Sequence, residues 1–190
     1  MDTKLDTSRK KEITELAKKI LRESSCFYPK FDLIKLLQDE ENFQIICQNM
    51  QDETTGYILI NDNEFIPGTT THKLIAVNNC FENDANFLQR RRFIVAHEFA
   101  HSVLHKNDAL LYAHRDVAHR NDILEKEADY FALCLLMPEE LVKTVLNDNS
   151  KQEMSFEQKV DCVSEAFYVT EKKARERLKE LYNVGSQSDL

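Results

Sequence analysis

The segment "FLQRRRFIVAHEFAHSVLH", residues 87–105, constrains the fold more than any other stretch. At helical spacing Phe93, Ile94, Val95, Ala96, Phe99, Ala100, Val103 and Leu104 nearly encircle the axis, so a helix from about Phe87 to Leu104 has to be buried on most sides. Other elements must therefore wrap around it. The same helix carries His97, Glu98 and His101, three ionisable side chains that are costly to bury without partners.

The rest of the chain offers the wrapping. Residues 9–24 place Ile13, Leu16, Ala17, Ile20 and Leu21 on one face of an amphipathic first helix, and "FDLIKLLQDE" reads as a second helix capped by Asp32. The period then changes. "FQIICQNM", "TTGYILIND" and "HKLIAVNN" are short runs rich in β-branched and aromatic residues, separated by polar or Gly/Pro stretches, and predict three strands. After the buried helix comes a polar connection, 107–122, then a helix over "ILEKEADYFALCLLM" and another over "PEELVKTVLND" with Pro138 in its first turn. Residues 156–182 predict two helices broken at Tyr168-Val169-Thr170, with Thr170 as N-cap of the second, in the manner of a helix-turn-helix. The fold class is therefore α+β, a small three-stranded sheet packed on helices. We divide it into a domain over 1–150 and a C-terminal helical subdomain over 151–190 whose tail is frayed.

Composition narrows the function classes. Charges scattered through the N-terminus and the lack of any long apolar run argue against a signal peptide or membrane span, so a cytoplasmic protein is expected. Five widely spaced cysteines without a CxxC pair argue against a disulfide framework or a cysteine-based zinc site, and are expected to be reduced and mostly buried. A net charge of −8 disfavours a broad electrostatic hold on DNA. "QRRR", 89–92, could contact phosphates, but cations at a helix start oppose its dipole and more readily pair with Glu82 or Asp84.

The chemistry lies in HExxH. Residues four apart share a helix face, so His97 and His101 can converge on one metal ion, while Glu98, about 100° round, stays off the metal yet within reach of a water on it. Zinc requires a third protein ligand and an open fourth position. His105 continues the four-residue step, but three ligands on a straight helix drift around its axis, and His72, His114 and His119 fall in expected loops. Glu125 and Glu127 in "LEKEADYFA" are the better candidates. Glu125 is favoured because it shares a face with Ala128 and Ala132, small residues that permit close helix approach. A capping box with Asp122 would also explain Glu125. Asp129, one turn on, could accept the second ring N–H of a ligand histidine.

With "RRRFIVAHEFAHSVLH", "EKEADYFALCLLMP" and "VDCVSEAFYVTEKKARERL" in that order, the chain resembles the ImmA/IrrE family of metallopeptidases. The resemblance implies a zincin-like core in which His97, His101 and the glutamate before Ala128 hold Zn2+ while Glu98 activates water; Mn2+ or Co2+ can occupy such sites. It also implies a protein substrate, a helix-turn-helix transcriptional repressor, often one encoded nearby in a mobile element or stress response. The chain is too short for the additional C-terminal sensor domain of IrrE-like members, so no signal-sensing role is expected.

Glu98 would pass the proton it takes from water to the leaving amine, and Tyr112, His114, His119, Tyr130 and Tyr168 are all candidates for stabilising the oxyanion. Substrate is expected to lie beside an edge strand, "KLIAVNN". Two other readings remain: a DNA-binding regulator with a structural zinc, opposed by the nearly balanced charges of 156–182, and a catalytically silent zinc protein that sequesters the repressor.

Overall fold

The computed structural model describes residues 5–24, 32–50, 54–81, 84–105, 122–147 and 154–182. Helix α1, Thr7–Glu23, starts where the Asp6 side chain accepts from the Ser8 N–H, and buries Ile13 and Ala17. Helix α2 is a single turn, Leu33–Lys35, capped by Asp32. Where the sequence predicts one regular helix, the backbone widens to a π turn over Leu36–Glu40. Asn42 then adopts φ 58°, and Phe43 N–H donates to the Leu37 carbonyl at 2.8 Å, which folds the chain back into the sheet.

The sheet has three strands, β1 (Gln44–Gln48), β2 (Gly56–Ile60) and β3 (Lys73–Asn78), in the order β1-β3-β2. β1 runs parallel to β3 and β2 antiparallel to it. This corrects one expectation: "KLIAVNN" is not an edge but the central strand. Its residues Leu74 to Asn78 are all buried, as befits a strand paired on both sides and covered by helices. β2 is the edge that lies against the next helix.

That helix, α3 (Phe87–Leu104), packs on β2, β3, α2 and α4 (Asp122–Leu136). Ala96 and Ala100 of α3 and Ala128 and Ala132 of α4 are all completely buried. α1 docks on α4 from the other side. Pro138, extended at φ −58°, ends α4's run and precedes α5, Glu139–Leu146. α6, Phe156–Phe167, opens with a reciprocal capping box between Ser155 and Gln158 and ends at Tyr168 in the left-handed region, φ 52°. α7, Glu171–Tyr182, begins with Thr170 Oγ1 accepting from the Lys173 N–H at 3.4 Å.

Val160, Val163, Phe167, Ala174 and Leu178 of α6 and α7 join the same apolar core as α1, α3 and α4. Burying a side chain of that size contributes roughly 1.5–3 kcal/mol. Arg177, 2 % exposed, is set into this core with its Nε donating to the Met137 carbonyl at 2.9 Å. The chain is α+β, with seven α-helices and the three-stranded sheet among the described residues.

The cysteines are less buried than expected: Cys134 is buried, Cys47 and Cys162 are half-buried and Cys80 is exposed, all as free thiols. Cys26, Glu82, Tyr112, His114, His119 and most of the 107–122 connection lie outside the described residues, as does the side chain of Asp122. Among the described residues no helix is long and apolar enough to cross a membrane.

Candidate metal centre

The packing of α3 on α4 brings one turn of each helix face to face. His97 Nε2 and His101 Nε2 lie 3.2 Å apart. The Glu125 carboxylate reaches both, Oε2 at 3.2 Å from His97 Nε2 and Oε1 at 3.6 Å from His101 Nε2. Two imidazoles and a carboxylate form a borderline nitrogen and oxygen donor set of the kind zinc accepts, and zinc bonds of 2.0–2.1 Å subtend a tetrahedral edge of about 3.3 Å. The three observed separations sit close to that edge, so the residues present fit a small divalent cation. Among the described residues this is the one cluster of histidine, cysteine and carboxylate side chains with donor atoms all within 4.8 Å of one another.

Glu127, the other candidate, points elsewhere. Its Oε2 lies 3.1 Å from His105 Nε2, and both of its oxygens accept from Arg9 of α1, at 2.9 and 2.7 Å. A carboxylate held in that way is not free to turn toward His97. Asp129 lies with Oδ1 2.8 Å from His97 Nδ1 and Oδ2 3.4 Å from Lys173 Nζ. Burial pushes the Asp129 carboxyl up, but His97 and Lys173 more than offset it and hold it below its usual range. Burial likewise depresses His97, yet Asp129, Glu125 and the nearby charge of Glu98 outweigh it and raise the imidazole to about 9. The carboxylates that favour a proton there equally favour a metal cation, which would displace it.

Glu98, next along α3, is 1 % exposed and sits under β2. A Cβ on Gly56 would come 2.6 Å from Ile94 Cγ2, 2.9 Å from the Ala76 carbonyl oxygen and 3.5 Å from Glu98 Cγ. Only glycine lets the edge strand approach α3 this closely. The site opens into a cleft of about 1040 Å³, walled by Gly56 and Thr55 on one side and by the α6–α7 turn with Tyr168 on another.

The sequence singles out His97, Glu98, His101, Glu125 and Asp129; four of them line this cleft, and His101, buried behind them, meets His97 and Glu125 in the donor cluster. Tyr168 also lines it, whereas Tyr130 faces α1, its hydroxyl 3.3 Å from Thr14 Oγ1. His72 holds the β2–β3 connection, its Nδ1 3.0 Å from the carbonyls of Asn61 and Glu64. In the QRRR run, Arg90 pairs with Asp84 at 3.0 Å. Sequence reasoning missed Lys173, Gly56 and the partners of Glu127. Gly56 alone left a signal, as one of three glycines in the chain, set at the start of a strand pattern.

Among curated proteins none matches the chain significantly. The family model Peptidase_M78, described as IrrE N-terminal-like domain, matches residues 45–179, which takes in the sheet, both site helices and nearly all of α7. The chain therefore belongs to the IrrE N-terminal-like family of M78 peptidases, the family that the ImmA/IrrE resemblance of its motifs pointed to.

Proposed function

We propose that this chain is a zinc-dependent endopeptidase with a zincin-like core, and that it cleaves a helix-turn-helix transcriptional repressor and so relieves repression. The observation that carries the chemical part is the convergence of His97, His101 and Glu125 beside a buried Glu98 at the foot of an open cleft. His97, His101 and Glu125 would hold the metal, with Asp129 orienting His97 through its Nδ1–H. A bound zinc ion supplies Lewis acidity, polarising a peptide carbonyl and acidifying water.

The chain's own residues do the rest. Glu98, shielded from bulk solvent by β2, takes a proton from the attacking water on its carboxylate and delivers it to the leaving amine. An extended substrate segment pairing with β2 would run near Glu98, because β2 is the edge strand that packs on α3 beside that residue. Backbone pairing selects little between side chains, so choice of one repressor falls to docking elsewhere. The net charge of −8 favours a basic partner, and cleavage that slows as salt rises is the expected signature.

The test is Glu98→Gln with a panel of purified helix-turn-helix repressors as substrates. The variant should retain zinc and lower the cleavage rate by about 10²–10⁴-fold, the usual contribution of a general base. Derepression that survives Glu98→Gln would instead establish a sequestering protein, and DNA binding by the purified chain would establish a regulator with a structural metal.

A further inference from the structure

Four residues beyond the second histidine, His105 caps the C-terminus of α3; it is 5 % exposed and stands outside the proposed metal ligands. Its Nδ1 is 3.0 Å from His101 Nδ1, and its Nε2 is 3.1 Å from Glu127 Oε2. Glu127 in turn receives Arg9 Nε on Oε1 and Arg9 Nη2 on Oε2. The chain of contacts thus runs from α1 through α4 to a histidine of the metal centre, over a sequence separation of 118 residues at the Arg9–Glu127 step.

Its direction follows from which groups can donate. A guanidinium only donates and a carboxylate only accepts. His105 must therefore offer Nε2–H to Glu127, which makes its Nδ1, in the neutral ring, an acceptor. His101 must then donate from Nδ1. That leaves the lone pair of His101 on Nε2, the atom that faces His97 and Glu125. His97 reaches the same state directly, since Asp129 accepts at its Nδ1. His101 stands one turn further from the α4 carboxylates, and His105 spans that gap.

We propose that Arg9, Glu127 and His105 are positioning residues which, as one polarised hydrogen-bond chain, fix the Nδ1–H tautomer of His101 and so present its Nε2 to the metal. This rests on the metal-site reading above and extends it to α1, which precedes the residues matched by the family model. Glu127 is thus a determinant of metal affinity without being a ligand.

Glu127→Leu makes the decisive variant because it removes the acceptor of His105 Nε2–H and supplies no other hydrogen-bonding group in its place. The experiment measures histidine tautomers by long-range 1H–15N correlation on the full-length protein, and Zn2+ affinity by competition with a chromophoric chelator. In the wild type, His105 should carry its proton on Nε2. In Glu127→Leu that preference for Nε2 should be lost, with zinc affinity lowered about 10–100-fold, the range for loss of an orienting partner. Arg9→Lys, which still only donates, should keep the wild-type tautomers and an affinity near wild type.

An Nδ1–H tautomer on wild-type His105, or a folded Glu127→Leu variant with undiminished zinc affinity, would overturn the chain. Zinc binding that is absent from the wild type or unaffected by Glu125→Ala would overturn the metal-site reading itself. The tautomers, measured without zinc, still decide the hydrogen-bond chain in that event.

Discussion

Replacing Gly56 with alanine tests the closest approach in the fold. The added methyl would stand about 0.8 Å inside ordinary contact with Ile94 Cγ2 and about 0.5 Å inside it with the Ala76 carbonyl oxygen, ordinary contact beginning at 3.4 Å. Ile94 is half-buried and its side chain can turn away. The Ala76 oxygen cannot, because it belongs to central strand β3, which is paired on both sides. β2 must therefore shift outward. Overpacking of this kind costs about 1–3 kcal/mol, and alanine recovers roughly 0.5–1 kcal/mol over glycine within a strand. With mid-range values for both terms the net loss is about 1 kcal/mol, or roughly 2–4 °C in Tm for a chain of this length.

Thermal unfolding followed by circular dichroism measures this directly, with Gly68→Ala as the comparison. Gly68 has φ +78° and no neighbouring atom within 4 Å of an added Cβ, so its substitution costs about 1–2 kcal/mol through backbone strain alone. The two variants separate at the site. Gly56→Ala should retain zinc yet cleave substrate at least tenfold more slowly, since displacements near 1 Å can cost about 100-fold, whereas Gly68→Ala should cleave normally. A Gly56→Ala protein that melts at or above the wild-type temperature would refute the close packing of β2 on α3.

Three further outcomes follow from the contacts described. Asp129→Ala should weaken zinc binding about 10–100-fold while leaving one site per chain, because it removes the partner of His97 Nδ1 and not a ligand; titration calorimetry checks this. Arg177→Met conserves most of the buried volume but strands the Met137 carbonyl, so it should destabilise by about 1–3 kcal/mol in urea unfolding without altering cleavage. Glu127 and Asp129 are both held below their ordinary values, by Arg9 foremost for the first and by His97 foremost against burial for the second, so the stability they contribute is present above about pH 4.5 and is lost as pH falls through their folded-state values. Tm of the metal-free protein should accordingly drop on acidification, and less steeply in Glu127→Gln than in the wild type.

What could be read in advance was whatever depends on short range. Helix α3 announced itself because its apolar residues surround the axis, and His97, Glu98 and His101 are placed by a single turn of it. Glu125 could be preferred over Glu127 because helical geometry alone puts it with Ala128 and Ala132, which are fully buried in the structure. Long-range partners left no such trace. Nothing local to Arg9 or Lys173 connects either with α4, and the order of three short strands is set by how they stack on α3. The unbroken burial of Leu74 to Asn78 has a local counterpart in the run "LIAV", which already favoured an interior strand over the edge position expected for it.

The contacts that support the site join distant parts of the chain, Arg9 to Glu127 and Lys173 to Asp129, across 118 and 44 residues. Closing loops of that length carries an entropic cost that is repaid only when the helices have docked, so such contacts form late. During refolding, helix formation should therefore run ahead of tight zinc uptake. The interval between the far-ultraviolet signal and the chelator signal then times the docking of α1 and α7 onto α4, and the metal serves as a clock for the last stage of folding.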